Sequence, residues 1–191
     1  MKKFLTLRNV LLASAAFIGV LFFALSFATK VNFPAEGNLK FNNVIWGSST
    51  ITYNGEVYPM SKIFDGLNVK LGPLALPLVG VILILVAAVA LCVAIFAIED
   101  QKVAKIVILV AAGLFVLGGV FQFIVIPSLK TSMTNAFVKV GLSQKEAAEE
   151  AYVVASYAQT GTLSTISGVF SIIAGLVAGA APFLPEKQLV K

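Results

Sequence analysis

The sequence predicts a membrane all-α fold, a bundle of four transmembrane helices, with a small extracytoplasmic antiparallel β-sheet in the first outer loop and a helical second outer loop. Three observations predict it. Of 191 residues, 59% are hydrophobic and only 12% charged, where a soluble domain carries about 25% charged side chains. Four runs without a single charge, residues 10–28, 74–98, 106–126 and 162–184, each approach or exceed the roughly 20 residues that a helix needs to cross about 30 Å of hydrocarbon. Residues 49–60, Ser-Thr-Ile-Thr-Tyr-Asn-Gly-Glu-Val-Tyr-Pro-Met, alternate in the manner of strands around Asn54-Gly55.

The amino terminus, residues 1–9, carries Lys2, Lys3 and Arg8 ahead of the first apolar run. Such a start fits a first helix over 10–28 or a signal peptide ending at Ser26-Phe27-Ala28. The run is longer than the roughly 7–15 residues of a signal core, which favours a retained helix. With this end inside, the cytoplasmic pieces are 1–9, the turn 99–102 between the second helix (74–98) and the third (103–126), and the tail 185–191. They hold Lys2, Lys3, Arg8, Lys102, Lys105 just past the turn, Lys187 and Lys191. The other Lys and Arg are spread over the much longer segments 29–73 and 127–161. Positive charge is therefore denser inside, which orients both termini to the cytoplasm of a multi-pass plasma-membrane protein.

Segment 29–73 is rich in strand signals. Asn-Gly is the favoured pair for a type I′ turn, since both central residues need positive φ. That turn sets Tyr53 opposite Glu56, Thr52 opposite Val57 and Ile51 opposite Tyr58, and it puts Ile51, Tyr53, Tyr58 and Met60 on one apolar face. Leu39, Phe41 and Ile45 upstream, and Leu67, Val69 and Leu71 downstream, alternate with polar neighbours and predict two further strands. A hairpin alone is marginal in water, while three or four strands sharing an apolar face are stable. The second helix opens at 74, with Pro73 at its start and Pro77 predicting either an unsatisfied carbonyl or a kink; the bend either serves a gate or sets the sheet rigidly on the bundle.

In segment 127–161, Ser143-Gln144-Lys145-Glu146 reads as a capping box opening a helix. Ala148, Ala151, Tyr152 and Ala155 share its inner face, with Glu146, Glu149 and Glu150 in water near the helix start, where negative charge is favoured. Residues 128–140 prolong the third helix, so a helical hairpin is expected beside the sheet. Along the fourth helix, 162–184, Ser167, Ser171, Gly175 and Gly179 recur every four residues, a spacing of small side chains that lets helix backbones meet. It serves either a seam within the bundle or an oligomer interface. Gln122 is the one strongly polar side chain deep in an apolar run, and it either bonds between helices or contacts a solute.

The chemistry open to the chain is narrow. It has no histidine and one cysteine, Cys92, so neither a zinc site of the usual donors nor an intrachain disulfide is expected. No Walker or dinucleotide glycine pattern occurs, and the apolar runs hold no ionisable pair of the kind that drives coupled transport. The net charge of +5 comes from 14 scattered Lys and Arg against 9 Asp and Glu, a pattern of topology and solvated loops rather than of nucleic-acid binding. No cofactor, metal or catalytic residue is expected.

The plan of four helices, inner termini, a strand-rich first outer loop and a smaller second one resembles that of claudins and related tetraspan proteins. Ile45-Trp46-Gly47 is similar to the opening of the Trp-Gly-Leu-Trp motif that claudins carry ahead of two cysteines. The second tryptophan and both cysteines have no counterpart here, so the resemblance implies a layout and carries no functional residue. The expectation is a non-enzymatic protein that meets membrane lipid and a protein partner or further copies of itself, as a structural, adhesion or accessory subunit. The alternative is an oligomeric pore or transporter for uncharged or lipid-like solutes.

Overall fold

The computed structural model describes residues 6–34, 39–62 and 69–184. Its elements run α1 (Leu7–Leu25), β1 (Lys30–Phe33), β2 (Leu39–Asn42), β3 (Thr50–Tyr53), β4 (Glu56–Pro59), α2 (Ala75–Phe96), α3 (Gln101–Phe121), α4 (Val125–Lys139), α5 (Gln144–Ser156), β5 (Gln159–Thr160) and α6 (Thr162–Ala180). Four helical stretches are long and apolar enough to cross a membrane: Leu7–Ala28, Ala75–Phe96, Gln101–Lys139 and Thr162–Phe183. The chain is a multi-pass membrane protein. The third stretch, at 39 residues, measures about 58 Å at the helical rise, so nearly half of it exceeds the hydrocarbon thickness.

The described residues form two compact units. One comprises residues 6–24, 80–120 and 167–184, and the other 25–34, 39–62, 69–79 and 121–166. The first is purely helical, and alanine dominates its core: Ala15 and Ala16 of α1, Ala87 and Ala88 of α2, Ala111 and Ala112 of α3, and Ala174 and Ala178 of α6, around the fully buried Phe115. In lipid the apolar surface gains nothing by leaving its solvent, so helices associate through close packing, and small side chains permit it. Adjacent glycines on α3 carry the closest approaches. A Cβ on Gly118 would lie 2.7 Å from the carbonyl oxygen of Gly80 in α2, and one on Gly119 2.8 Å from that of Gly168 in α6. Leu76, Val86, Val89, Leu109, Val110 and Leu176 stay exposed, as lipid-facing side chains do.

The second unit holds a five-stranded antiparallel sheet in the order β4-β3-β2-β1-β5. Asn54 and Gly55 both take positive φ, 48° and 88°, and the hairpin pairs Tyr53 with Glu56, Thr52 with Val57 and Ile51 with Tyr58. Across the sheet, Val31 faces Phe41, Phe41 faces Ile51 and Ile51 faces Tyr58. This row and the pair Phe33–Leu39 form the inner face. The same core takes in Val125, Leu129, Met133, Ala136 and Phe137 of α4 and Ala147 and Ala151 of α5. A helical hairpin thus supplies the second layer that a sheet with one apolar face requires.

Several expectations are corrected. Two strands are new, β1 directly after the first apolar stretch and β5 from the far segment 127–161. Ile45 lies beyond β2 and is wholly buried in the following loop. Residues 69–71 form no strand, although Leu71 exchanges two backbone hydrogen bonds with Ser48; Leu67 and Asn68 lie outside the described residues, as do residues 1–5 and the tail 185–191. The second helix starts at Ala75, after Pro73, so Pro77 falls in its first turn, where a missing amide proton removes no intrahelical bond. Pro127 has the larger effect. It lacks an amide for the carbonyl four residues back, at Phe123, and the helix tightens there to a 3-10 turn over Gln122–Ile124 before α4 resumes.

Candidate functional site

The hairpin face that the sequence treats as one surface is divided by the fold. Ile51 and Met60 are each 1% exposed and belong to the sheet's own core. Tyr58 packs at the margin of that core, and Tyr53, near the turn, is 43% exposed. The Tyr58 hydroxyl donates to the Glu56 carboxylate; this bond, then loss of solvent and then the negative charge push the phenol above its ordinary range.

On α5 the outward face carries large apolar and aromatic side chains among its charges. Ser143 caps the helix: its hydroxyl accepts from the Glu146 amide at 3.3 Å, while the Glu146 carboxylate accepts from the Ser143 amide at 3.0 Å. Hydrogen bonding from the Ser143 side chain, then from its backbone, holds the Glu146 carboxyl below the usual carboxylate range. The buried residues are Ala147, Ala151 and Ala155, a stripe turned from the expected one: Ala147 is inside, Ala148 half-buried and Tyr152 exposed. Alanine fits because α4 and α5 pack with little space between them, and tyrosine does not. At 100° per residue, Val153 points nearly opposite these alanines. Tyr152, Val153 and Tyr157 are all more than half exposed, with exposed Glu146, Glu149 and Glu150 toward the helix start. Lys130 of α4 places its ammonium 4.6 Å from the centre of the Tyr152 ring, which fixes that ring by a cation–π contact.

Gln122 is 1% exposed, and its side-chain amide donates to the Pro77 carbonyl at 3.0 Å. This is the interhelical bond, between α2 and the turn that ends α3. Of the small residues on α6, Gly175 meets α3 directly: a Cβ there would come within 2.8 Å of the Ala112 carbonyl oxygen. Gly179 has looser contact, 3.5 Å from the Ala112 Cβ, and Ser167 and Ser171 are buried. Gly175 and Gly179 thus meet α3 of the same chain. On α3, Gly119 meets α6 and Gly118 meets α2, and both escape a search for four-residue spacing because they are adjacent and face different helices. Trp46, from the claudin-like tripeptide, donates its indole N–H to the Ser26 hydroxyl at 2.9 Å and stacks on Phe27 at 4.5 Å.

Among the described residues no group of three His, Cys, Asp or Glu is placed to hold a metal ion. Cys92 is on the exposed side of α2. Compared with protein-family models, with curated proteins and with solved structures, the chain gives no match.

Proposed function

We propose that the protein acts through protein–protein contacts made by its sheet-bearing unit, as a non-enzymatic structural, adhesion or accessory subunit of a plasma-membrane complex. The observation that carries this reading is the outward face of α5, where exposed Val153 is flanked by exposed Tyr152 and Tyr157 and follows three exposed glutamates in the first two turns. Aromatic side chains set in a polar rim are what interfaces use. A solvated helix normally carries polar side chains over its whole outward face, whereas here Val153 stands opposite the buried stripe beside Glu149. The partner that fits offers an apolar side chain flanked by Lys or Arg. The density of Lys and Arg near the predicted inner turns supports a topology with both termini cytoplasmic and this unit outside.

A photo-crosslinking residue at position 153 tests the reading in intact cells. The expected result is a protein adduct that Glu149→Lys with Glu150→Lys abolishes and that survives Lys145→Gln. No adduct, together with a strictly monomeric protein in mild detergent, sinks it.

A second reading is the oligomeric pore or transporter for uncharged or lipid-like solutes. It draws on the buried Ser171 hydroxyl, which has no hydrogen-bond partner, a group that normally bonds to something when it lies in a helix bundle. Solute flux in proteoliposomes that Ser171→Ala removes would favour it.

A further inference from the structure

We propose that the sheet-bearing unit holds the headgroup of an anionic phospholipid in a cleft between α4 and the segment leading into α2. The cleft encloses about 300 Å³, and Lys70 and Lys139 contribute to it from its two walls, at the small end of the roughly 300–1,000 Å³ that ligand pockets span. No acidic side chain lines it.

The α4 wall is a polar stripe. Ser128, Thr131, Ser132, Asn135 and Lys139 recur at helical spacing along one side, although Leu129, Met133 and Phe137 of the same helix lie in the core. Ser132 donates to the Gly72 carbonyl at 2.9 Å, which pins the opposite wall and keeps the cleft formed without a ligand. The Ser128 hydroxyl and the Asn135 amide then supply neutral donors for phosphate and glycerol oxygens, between two cations.

The position of the cleft in the sequence selects a lipid over a free anion. Lys70 comes just before the apolar α2, and Ser128 just after the apolar run that ends at residue 126. Both walls therefore begin where the sequence turns from apolar to polar, and from there the cleft runs outward along α4 to Lys139. Ala75 and Leu76, both exposed, form the apolar lip from which acyl chains would continue. They also open α2, whose first amides lack intrahelical partners. A lysine near a membrane surface contributes about 1 kcal/mol toward an anionic lipid, or roughly fivefold. Loss of both lysines should weaken retention roughly 25-fold.

The test is native mass spectrometry of the full chain released from mild detergent after incubation with phosphatidylglycerol or phosphatidylcholine. The wild type should retain phosphatidylglycerol preferentially. Lys70→Gln with Lys139→Gln should lose that preference by roughly 25-fold, whereas Lys70→Arg with Lys139→Arg should keep it. Lys40→Gln with Lys145→Gln, which changes net charge equally, should also keep it. Equal retention of the two lipids, or an undiminished preference in the double glutamine variant, overturns the proposal. So does displacement of phosphatidylglycerol by an equal concentration of inorganic phosphate, which would make this a free-anion site. The inference needs the helices to span a membrane but no protein partner, so its failure leaves the α5 reading untouched, and the reverse.

Discussion

The side-chain amide of Gln122 donates to the main-chain carbonyl of Pro77 at 3.0 Å, in a setting where the glutamine is 1% exposed. The bond joins two consequences of proline. Pro127 forces the tight turn that begins at Gln122, and Pro77 occupies the first turn of α2. Gln122→Leu removes the donor while the acceptor keeps its second lone pair, so the loss should be modest, roughly 0.6–1.7 kcal/mol. Thermal unfolding in detergent measures it. A variant that unfolds normally yet abolishes solute flux would instead identify Gln122 as a transport contact.

Ile51 and Tyr53 share a strand face and should respond differently. Ile51→Ala empties a core site that is closed on both sides, with a loss of roughly 2–5 kcal/mol. Tyr53→Ala should stay within about 0.5 kcal/mol of the wild type, as surface changes do. Denaturant titration of the two variants separates them, and equal losses would mean that the hairpin tip is covered.

Gly55 has no atom within 4 Å of the position a Cβ would take, but its φ is +88°. Gly55→Ala therefore introduces backbone strain without a clash, roughly 1–2 kcal/mol. Hydrogen exchange should quicken across β3 and β4 and stay unchanged in α2 and α3.

Gly119→Ala has the opposite character. A Cβ 2.8 Å from the Gly168 carbonyl oxygen meets backbone, which cannot swing aside. Separation of α3 from α6 should cost roughly 1–3 kcal/mol, as overpacking does, and should lower the melting temperature in detergent. Gly113→Ala, where nothing lies within 4 Å, is the matched control and should be neutral or slightly stabilising.

The cap of α5 is pH-dependent. The Glu146 carboxyl is held below its ordinary range by Ser143, so the folded state binds its proton less readily than the unfolded chain. Its contribution is complete above the ordinary glutamate pKa of about 4.3 and is lost as pH falls through the lower folded value. Amides in the first turn of α5 should exchange faster in that acid window. Ser143→Ala should give the faster exchange, relative to intrinsic rates, already at neutral pH and remove the dependence.

Much of the local structure could be read from the residues. Uncharged runs of about 20 residues have few alternatives to spanning helices, Asn-Gly between alternating strands fixes a turn and its register, and Ser-x-x-Glu starts a helix. Each signal is complete within a dozen or two residues. β5 shows the limit: Gln159 and Thr160 have no strand pattern of their own and become a strand because β1 presents an open edge.

The membrane class, the four apolar stretches, the hairpin register and the start of α5 could all be read from the residues alone, because each follows from hydropathy, backbone φ preference or a nearby hydrogen bond. Which residues cover Ile51 and Met60, which side of α5 turns inward, and that Gly118 and Gly119 meet two different helices became visible in the folded chain alone. Those outcomes depend on how closely distant segments approach one another. A single chain of letters carries that distance only through packing, where a methyl group placed 2.7 Å from a carbonyl oxygen excludes one arrangement and admits another.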